Sequence, residues 1–423
     1  MMLNQKGISM KVVAIVLVAV IIVAAVVAWY MLQQKGPETI KIGLLANKSG
    51  GLAEEGVRNE KLAMLTVDKI NAEGGIYVQE LGRKLPIELI VYDCESNPSR
   101  TVELATRMVT EVKPTFLLTS SAPPYVLPVV SVVEQYGGVI FIQCGGAPAQ
   151  VYKAGMPENA TWSWVLGSSI AYAVMGYENL YGTVKNQTNG VVGIFCLDDP
   201  DGRKWNETMV PILMKLGYTI VHPGLFPTTT TDFSAMITKF KQNNVELLWV
   251  IADPGQFAAF WRQCSSMGFW PKFVAGGRYI IYQRSSAELI GGNLALGLIA
   301  ESQWHPDWPF PGNDWVEQAW KQIGLDYHHS AVHLSSAIFF IKTLIEKVGK
   351  LDVYALNEAM TTVQYDSPVG KIKFEANSHL SLQYMCFVQQ VKTKEGEWAL
   401  NIVWSPPGSG IPTKTMMFPL PKP

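Results

Sequence analysis

The sequence predicts an α/β protein: two doubly wound domains with parallel sheets, preceded by one N-terminal transmembrane helix. Three observations carry this reading. From Val12 to Leu32 the chain is uncharged and aliphatic up to Trp29-Tyr30. At about 1.5 Å per residue that run spans ~31 Å as a helix, the thickness of a bilayer's hydrocarbon core. Beyond it, short β-branched runs alternate with amphipathic stretches, as in parallel βαβ units, and the alternation restarts near Gly190 as a second domain requires.

The flanks orient the first element. Lys6 and Lys11 precede the apolar run with no acidic neighbour, which favours a cytoplasmic N-terminus, and Trp29-Tyr30 suit the outer interface. The expectation is a single-pass anchor with the soluble lobes extracellular. The alternative is secretion after cleavage of a signal peptide. A signal h-region is usually about 7–15 residues, shorter than this run. Ala25-Val26-Val27-Ala28 is a poor cleavage site, and no Cys follows closely to take a lipid.

Composition narrows the function. Net charge is −1 with no basic stripe, which argues against nucleic acid as a partner. The 13 Trp suit large buried or ligand-facing rings. Cys94, Cys144, Cys196, Cys264 and Cys386 stand far apart with no CxxC, neither a zinc pattern nor a disulfide framework, and the odd count leaves a thiol unpaired. Asn-x-Ser/Thr triplets stand at Asn47, Asn159, Asn186 and Asn206, acceptor sites only if the chain is exported and glycosylated.

The elements follow in order. Lys35-Gly36-Pro37 breaks the anchor from the body, and Thr39–Ala46 is a buried strand. Val57–Ala72 carries Leu62, Leu65, Val67 and Ile70 on one face of a helix that Gly74-Gly75 stops. Pro86–Tyr92 is a strand, Ser99–Val112 a helix, Thr115–Leu118 a strand, Pro128–Tyr136 a short helix and Val139–Ile142 a strand closed by Gly145-Gly146. In the second domain Gly190–Cys196, Tyr218–Val221, Leu247–Ile251 and Lys272–Ala275 are strands, separated by helices over Trp205–Leu216, Phe233–Asn243 and Gln256–Met267. Trp304–Trp315, rich in Pro and Trp, reads as irregular, Val332–Val348 as a long apolar helix, and Gly370–Phe374 with Tyr384–Val391 as a closing β-hairpin. Doubly wound domains bind ligands at the carboxyl ends of their strands, so two facing each other make a cleft.

Three stretches carry a family resemblance: Asp68-Lys69-Ile70-Asn71-Ala72-Glu73-Gly74-Gly75-Ile76, Tyr92-Asp93 with Asn97-Pro98, and Thr231-Asp232-Phe233-Ser234-Ala235-Met236-Ile237. In this order and spacing they resemble the branched-chain amino acid (Leu/Ile/Val)-binding proteins of ABC transporters, over roughly Ile40 to Trp404. The residues themselves read as structural: Gly74-Gly75 frees the backbone for a sharp turn, and Asp232 sits at an N-cap. The resemblance implies the type I periplasmic-binding-protein fold, two lobes joined by a three-strand hinge. It divides the chain into an anchor and linker at 1–36, lobe 1 at 37–165 plus 302–375, lobe 2 at 166–301 plus 376–410, and a tail at 411–423. The hinge crossings are expected near Trp164–Gly167, Ala300–Trp304 and Phe374–Leu380.

The resemblance also implies ligand contacts. In the first lobe the family holds an α-carboxylate with hydroxyls and amides at positions that look like Ser120, Ser121, Gly146 and Ala147. Free N–H groups and a hydroxyl at a strand-to-helix turn suit an anion, or cap the loop. In the second lobe the family's acidic partners for an ammonium fall on Ser168 and Ser169, with no carboxylate, and near Arg278, which repels an ammonium. Glu55, Asp201 and Asp253 are the other charges available to the cleft. Asp201-Gly202 and Asp253-Pro254 equally suit turns. Trp164, beside Trp162 near the first crossover, offers a ring to a planar solute.

His329 and His333 stand one helical turn apart, yet no carboxylate or Cys joins them at ligand spacing, so packing is expected rather than a metal site. The Trp304–Trp320 cluster is expected to pack an interdomain strap. No catalytic motif asks for an enzyme, and no cofactor is implied. The expectation is an extracellular solute-binding protein that captures a small polar or amphipathic solute, an amino acid or related amide or carboxylate. It passes the solute to ABC permease subunits with their ATPases. The alternative is a ligand-sensing ectodomain working with a separate signalling partner.

Overall fold

The structure, a computed structural model, describes residues 17–24, 37–278 and 284–422. Residues 17–24 form a helix that exposes Leu17, Val18, Val20, Ile21, Ile22 and Val23. The rest of the expected span Val12–Leu32 lies outside the described residues. Among the described residues no helix is long and apolar enough to cross a membrane.

The first half of the body supplies β1 (Ile40–Ala46), a small hairpin of β2 (Ile76–Val78) and β3 (Arg83–Leu85), then β4 (Ile87–Asp93), β5 (Phe116–Thr119), β6 (Ile140–Cys144) and β7 (Ser163–Ser168). The second supplies β8 (Val191–Cys196), β9 (Thr219–Val221), β10 (Leu247–Ile251), β11 (Phe273–Gly277) and β12 (Ile299–Ser302). Another hairpin, β13 (Gln364–Ser367) with β14 (Gly370–Lys373), precedes β15 (Leu380–Gln383), β16 (Cys386–Lys392) and β17 (Trp398–Trp404). One sheet is ordered β15-β7-β6-β5-β1-β4 with every pair parallel. The other runs β17-β16-β12-β11-β10-β8-β9, parallel as far as β12 and antiparallel at its β16–β17 edge. Strands such as Phe116–Thr119 and Leu247–Ile251 are buried throughout, the apolar run that a parallel sheet covered on both faces needs.

These strand orders locate a crevice. The first sheet reverses direction of growth between β1 and β5, the second between β8 and β10. In doubly wound sheets the loops leaving the carboxyl ends of those strands diverge to opposite faces and leave a gap for a ligand. Asn47 and Ser120-Ser121 therefore stand at one switch point, and Asp198–Asp201 and Asp253 at the other.

The chain passes between the sheets after Ser168, after Ser302 and after Gln383. The third passage comes later than Phe374–Leu380 because β15 still belongs to the first sheet, pairing with β7 in register Leu380↔Val165 to Gln383↔Ser168. The expected hairpin between Gly370–Phe374 and Tyr384–Val391 does not form. Gly370–Lys373 pairs instead with Gln364–Ser367, through a tight turn in which Gly370 takes φ 106° and the Ser367 hydroxyl donates to the Gly370 carbonyl at 2.6 Å. A local turn closes a shorter loop than the distant pairing does. Tyr384–Val391 overlaps β16, whose partners are β12 and β17.

Helices start earlier than their apolar periodicity implies. Pro98, Pro123, Pro200 and Pro254 each occupy the first turn, where a missing N–H costs nothing and the fixed φ suits the helix. The helix Asn313–Ile323 begins within the stretch Trp304–Trp315 expected to be irregular and runs eight residues past it. Residues 411–422 are no loose tail. Met417 N–H donates to Gln389 Oε1 at 2.7 Å, Leu420 N–H to the Lys272 carbonyl at 2.7 Å, and Trp270 Nε1 to the Pro421 carbonyl at 2.9 Å.

Candidate functional site

The first-lobe side of the crevice is built from the turns after β1, β5 and β6. Asn47 Nδ2 lies 2.8 Å from Ser121 Oγ, and Asn59, from the Ala53–Ala72 helix, donates to the Ser120 carbonyl at 2.9 Å. That helix sits directly on the end of β1: a Cβ on Gly56 would lie 2.0 Å from the Asn47 carbonyl oxygen. Glu55, in its first turn, is half-buried against this floor, and burial pushes its carboxyl up to about 8. Gln143 Nε2 spans the neighbouring turn, donating to the Gly145 carbonyl at 2.9 Å and the Ser121 carbonyl at 3.4 Å.

Ser120, Ser121, Gly146 and Ala147 are thus brought together, but not as a row of open donors. The Ala147 N–H donates to the Tyr152 hydroxyl at 2.9 Å, and that hydroxyl donates to the Ser121 carbonyl at 2.6 Å. Gly146 has φ 85°, and a Cβ there would lie 2.4 Å from Tyr152 Oη. The glycine lets the tyrosine reach the turn. The amide expected to receive an anion is already taken, by a residue the sequence reading passed over.

The second-lobe side carries charge. Arg278 directly follows β11 and has φ 72°, a left-handed conformation costly for a non-glycine residue. Its guanidinium donates to Asp199 Oδ2 at 2.8 Å, Asp201 Oδ2 at 3.2 Å and Asp253 Oδ1 at 2.6 Å. Burial works against its charge, but Asp253, Asp201 and Asp199 outweigh it and hold Arg278 ionised. Three carboxylates face one guanidinium, so the cluster keeps two negative charges in excess when all are ionised. Arg278 therefore does not present the cleft with a net positive charge. Asp199 also caps the Pro200–Lys215 helix, accepting from Gly202 N–H at 2.6 Å, and Asp253 stands at the N-cap of the Pro254–Ser266 helix. Burial raises the Asp201 carboxyl against the pull of Arg278, and Asp201 Oδ1 has no hydrogen-bond partner.

One further carboxyl group belongs to this side of the cleft. Glu301, on β12, accepts from the Tyr177 hydroxyl. Burial pushes Glu301 up to about 7 against that bond, and the field of Asp201 adds to the rise. The lobes face each other closely: Gln303, just past β12, donates to the Gly146 carbonyl at 2.8 Å. Burial raises the Tyr125 phenol of the first lobe, and the fields of Asp253 and Glu55 add to it.

The remaining expected residues lie elsewhere or serve the scaffold. Ser169 caps the Ile170–Val184 helix, accepting from Ala171 N–H at 3.3 Å, while Ser168 ends β7 fully buried at the first passage. Trp164 stands apart from the group. It is the second residue of β7, away from that strand's carboxyl end, and stacks on His379 at 3.9 Å. Its Nε1 donates to Asn357 Oδ1 at 2.8 Å, and it lines a separate cavity of about 270 Å³. His328 and His329 stack at 4.9 Å, and His333 Nδ1 lies 3.1 Å from the His329 carbonyl. Among the described residues, no group of three or more His, Cys, Asp or Glu is placed to hold a metal.

The family model for periplasmic binding proteins matches residues 39–396, most of the chain. This chain belongs to the periplasmic binding protein family. A leucine-, isoleucine-, valine-, threonine- and alanine-binding protein of Pseudomonas aeruginosa is 22% identical over 374 residues, 84% of this chain and 90% of the relative. Among solved structures, the branched-chain amino acid transporter substrate-binding protein of Streptococcus pneumoniae, in complex with isoleucine, superposes with a TM-score of 0.71 at 19% identity. The match covers 87% of this chain and 100% of that one. A solute-binding protein of an ABC transporter from Rhodopseudomonas palustris, holding 3,4-dihydroxybenzoic acid, gives 0.68 at 19% identity over 88% of this chain and 99% of that one. As a periplasmic binding protein of the type I class, the chain is a solute-binding component of the ABC transporter kind.

Proposed function

We propose that this periplasmic binding protein captures a small polar solute in the cleft between its lobes and delivers it to an ABC permease, acting as a receptor and not as an enzyme. The observation that carries the reading is the pairing of unlike faces across the switch points. Asp199, Asp201 and Asp253 hold Arg278 on one side, and Ser120, Ser121 and Asn47 form a hydrogen-bonding floor on the other. A solute bridging them stabilises the closed arrangement by its contacts with the second face, and the passages after Ser168, Ser302 and Gln383 are where the backbone bends. A permease that reads the closed form then takes up loaded receptor only.

The apolar run Val12–Leu32 supports a tether that keeps the receptor beside its permease at the outer face of the membrane. Retention of the full-length chain in the membrane fraction after alkaline carbonate washing tests the tether. Thermal melting of the full chain against a solute panel tests capture. A true solute at 100 times its Kd raises stability by about 2.7 kcal/mol, and no shift with any solute class argues against capture.

A further inference from the structure

Four side chains around the first-lobe floor share one property. Asn59, Gln143, Gln303 and His333 are 1%, 1%, 4% and 0% exposed. Each has one polar end fixed by a backbone carbonyl. Asn59 Nδ2 donates to Ser120 at 2.9 Å, Gln143 Nε2 to Gly145 at 2.9 Å, Gln303 Nε2 to Gly146 at 2.8 Å and His333 Nδ1 to His329 at 3.1 Å. A carbonyl only accepts, so these bonds identify the nitrogen of each amide and the protonated nitrogen of the imidazole. The opposite ends, Asn59 Oδ1, Gln143 Oε1, Gln303 Oε1 and His333 Nε2, are therefore all acceptors. None has a donor among the described residues.

These acceptors belong to one neighbourhood. Three of the four carbonyls lie in the turns after β5 and β6, and a Cβ on Gly145 of the second turn would lie 3.4 Å from His333 Cβ. Buried acceptors call for donors. A carboxylate offers none, whereas an ammonium, amidinium or guanidinium offers several on one centre. Charge points the same way, since the three carboxylates of the Arg278 cluster across the cleft outnumber its one guanidinium by two when all are ionised. The Ala147 amide, which would anchor a carboxylate, is meanwhile occupied by Tyr152.

We infer that the solute is an organic cation rich in N–H donors, an amine, amidine or guanidinium compound, and that its recognition needs no carboxylate. This rests on the cleft being the solute site proposed above. The donor-bearing head meets the Asn59, Gln143, Gln303 and His333 acceptors, and its positive charge meets the aspartates that surround Arg278.

Calorimetric titration of the full chain with matched pairs, arginine against agmatine and leucine against isopentylamine, beside 4-hydroxybenzoate, tests this. The amine of each pair is expected to bind at least as tightly as its amino acid, and 4-hydroxybenzoate about 100-fold more weakly or not at all. Binding of the amino acids or of 4-hydroxybenzoate with no heat from either amine overturns the inference and leaves the cleft a solute site. No heat from any probe overturns both. Asn59→Leu, with Gln303→Leu as a second variant should the first fail to fold, removes one acceptor and is expected to weaken the amine about tenfold. Unchanged affinity in a folded variant overturns the role given to these acceptors.

Discussion

The Tyr152 hydroxyl lies 2.9 Å from the Ala147 amide nitrogen and 2.6 Å from the Ser121 carbonyl oxygen, closing the first-lobe turn with the protein's own side chain. One hydroxyl therefore satisfies a donor and an acceptor that would otherwise face the cleft. Tyr152→Phe keeps the ring and removes both bonds. It is expected to cost about 1–2 kcal/mol, read by chemical denaturation. It also bares the Ala147 N–H, so affinity for small carboxylates should rise in calorimetry, where the wild type gives little.

Arg278 holds the second-lobe cluster together. Arg278→Met leaves Asp199, Asp201 and Asp253 facing one another without a cation. With 27% of the Arg278 side chain exposed, the expected loss is about 2–4 kcal/mol, somewhat below that of breaking a fully buried pair. Protonation relieves the repulsion, so the deficit measured by denaturation should be smaller at pH 5 than at pH 7.

Glu55 and Glu301 set a pH dependence of definite sign. Their folded pKa values, about 8 and about 7, exceed the ordinary 4.5. Between the ordinary and the folded value the folded state binds more protons than the unfolded one. Their contribution is fully present below pH 4.5 and is lost as pH rises through 7 and then 8. The slope is at most about 1.4 kcal/mol per pH unit for each group, less for Glu55 because the cleft partly solvates it. Melting between pH 5 and pH 8 should show the decline, and Glu55→Gln should flatten it at the upper end.

All five cysteines are buried and free. Burial pushes the Cys94 thiol up to about 11 and the Cys196 and Cys386 thiols up to about 12, so little thiolate exists at neutral pH. The native chain should be inert to a thiol reagent, the denatured chain should titrate all of its thiols, and reductant should leave the melting temperature unchanged.

Much of the scaffold was legible because parallel strands are buried on both faces and announce themselves as apolar runs. Leu247–Ile251 falls where its sequence puts it, and the Gly74-Gly75 stop is realised with φ 93° and 92°. The proline-led helix starts were obscured because the same residue breaks a helix inside and favours it at its first turn. The site was legible in place more than in chemistry. Ser120, Ser121, Gly146 and Ala147 do meet, as do Asp201, Asp253 and Arg278. Yet Arg278 lies 79 residues from Asp199 and 25 from Asp253 in the chain, and no local pattern tells that three carboxylates will surround it. Nor does spacing show that Tyr152 curls back onto Ala147, or that Gln303 reaches Gly146 across the cleft. Trp164 invited a ligand role by its ring alone, and the register of β7 placed it at the other end of the strand.

The most direct test is a calorimetric titration of agmatine into the wild-type full chain and into Asp201→Asn, which leaves Arg278 paired with Asp199 and Asp253. The cleft account predicts saturable one-to-one binding to the wild type and an affinity about tenfold or more lower in the variant. Equal affinity in the two proteins, or no binding to the wild type by agmatine or any other small solute, would contradict it.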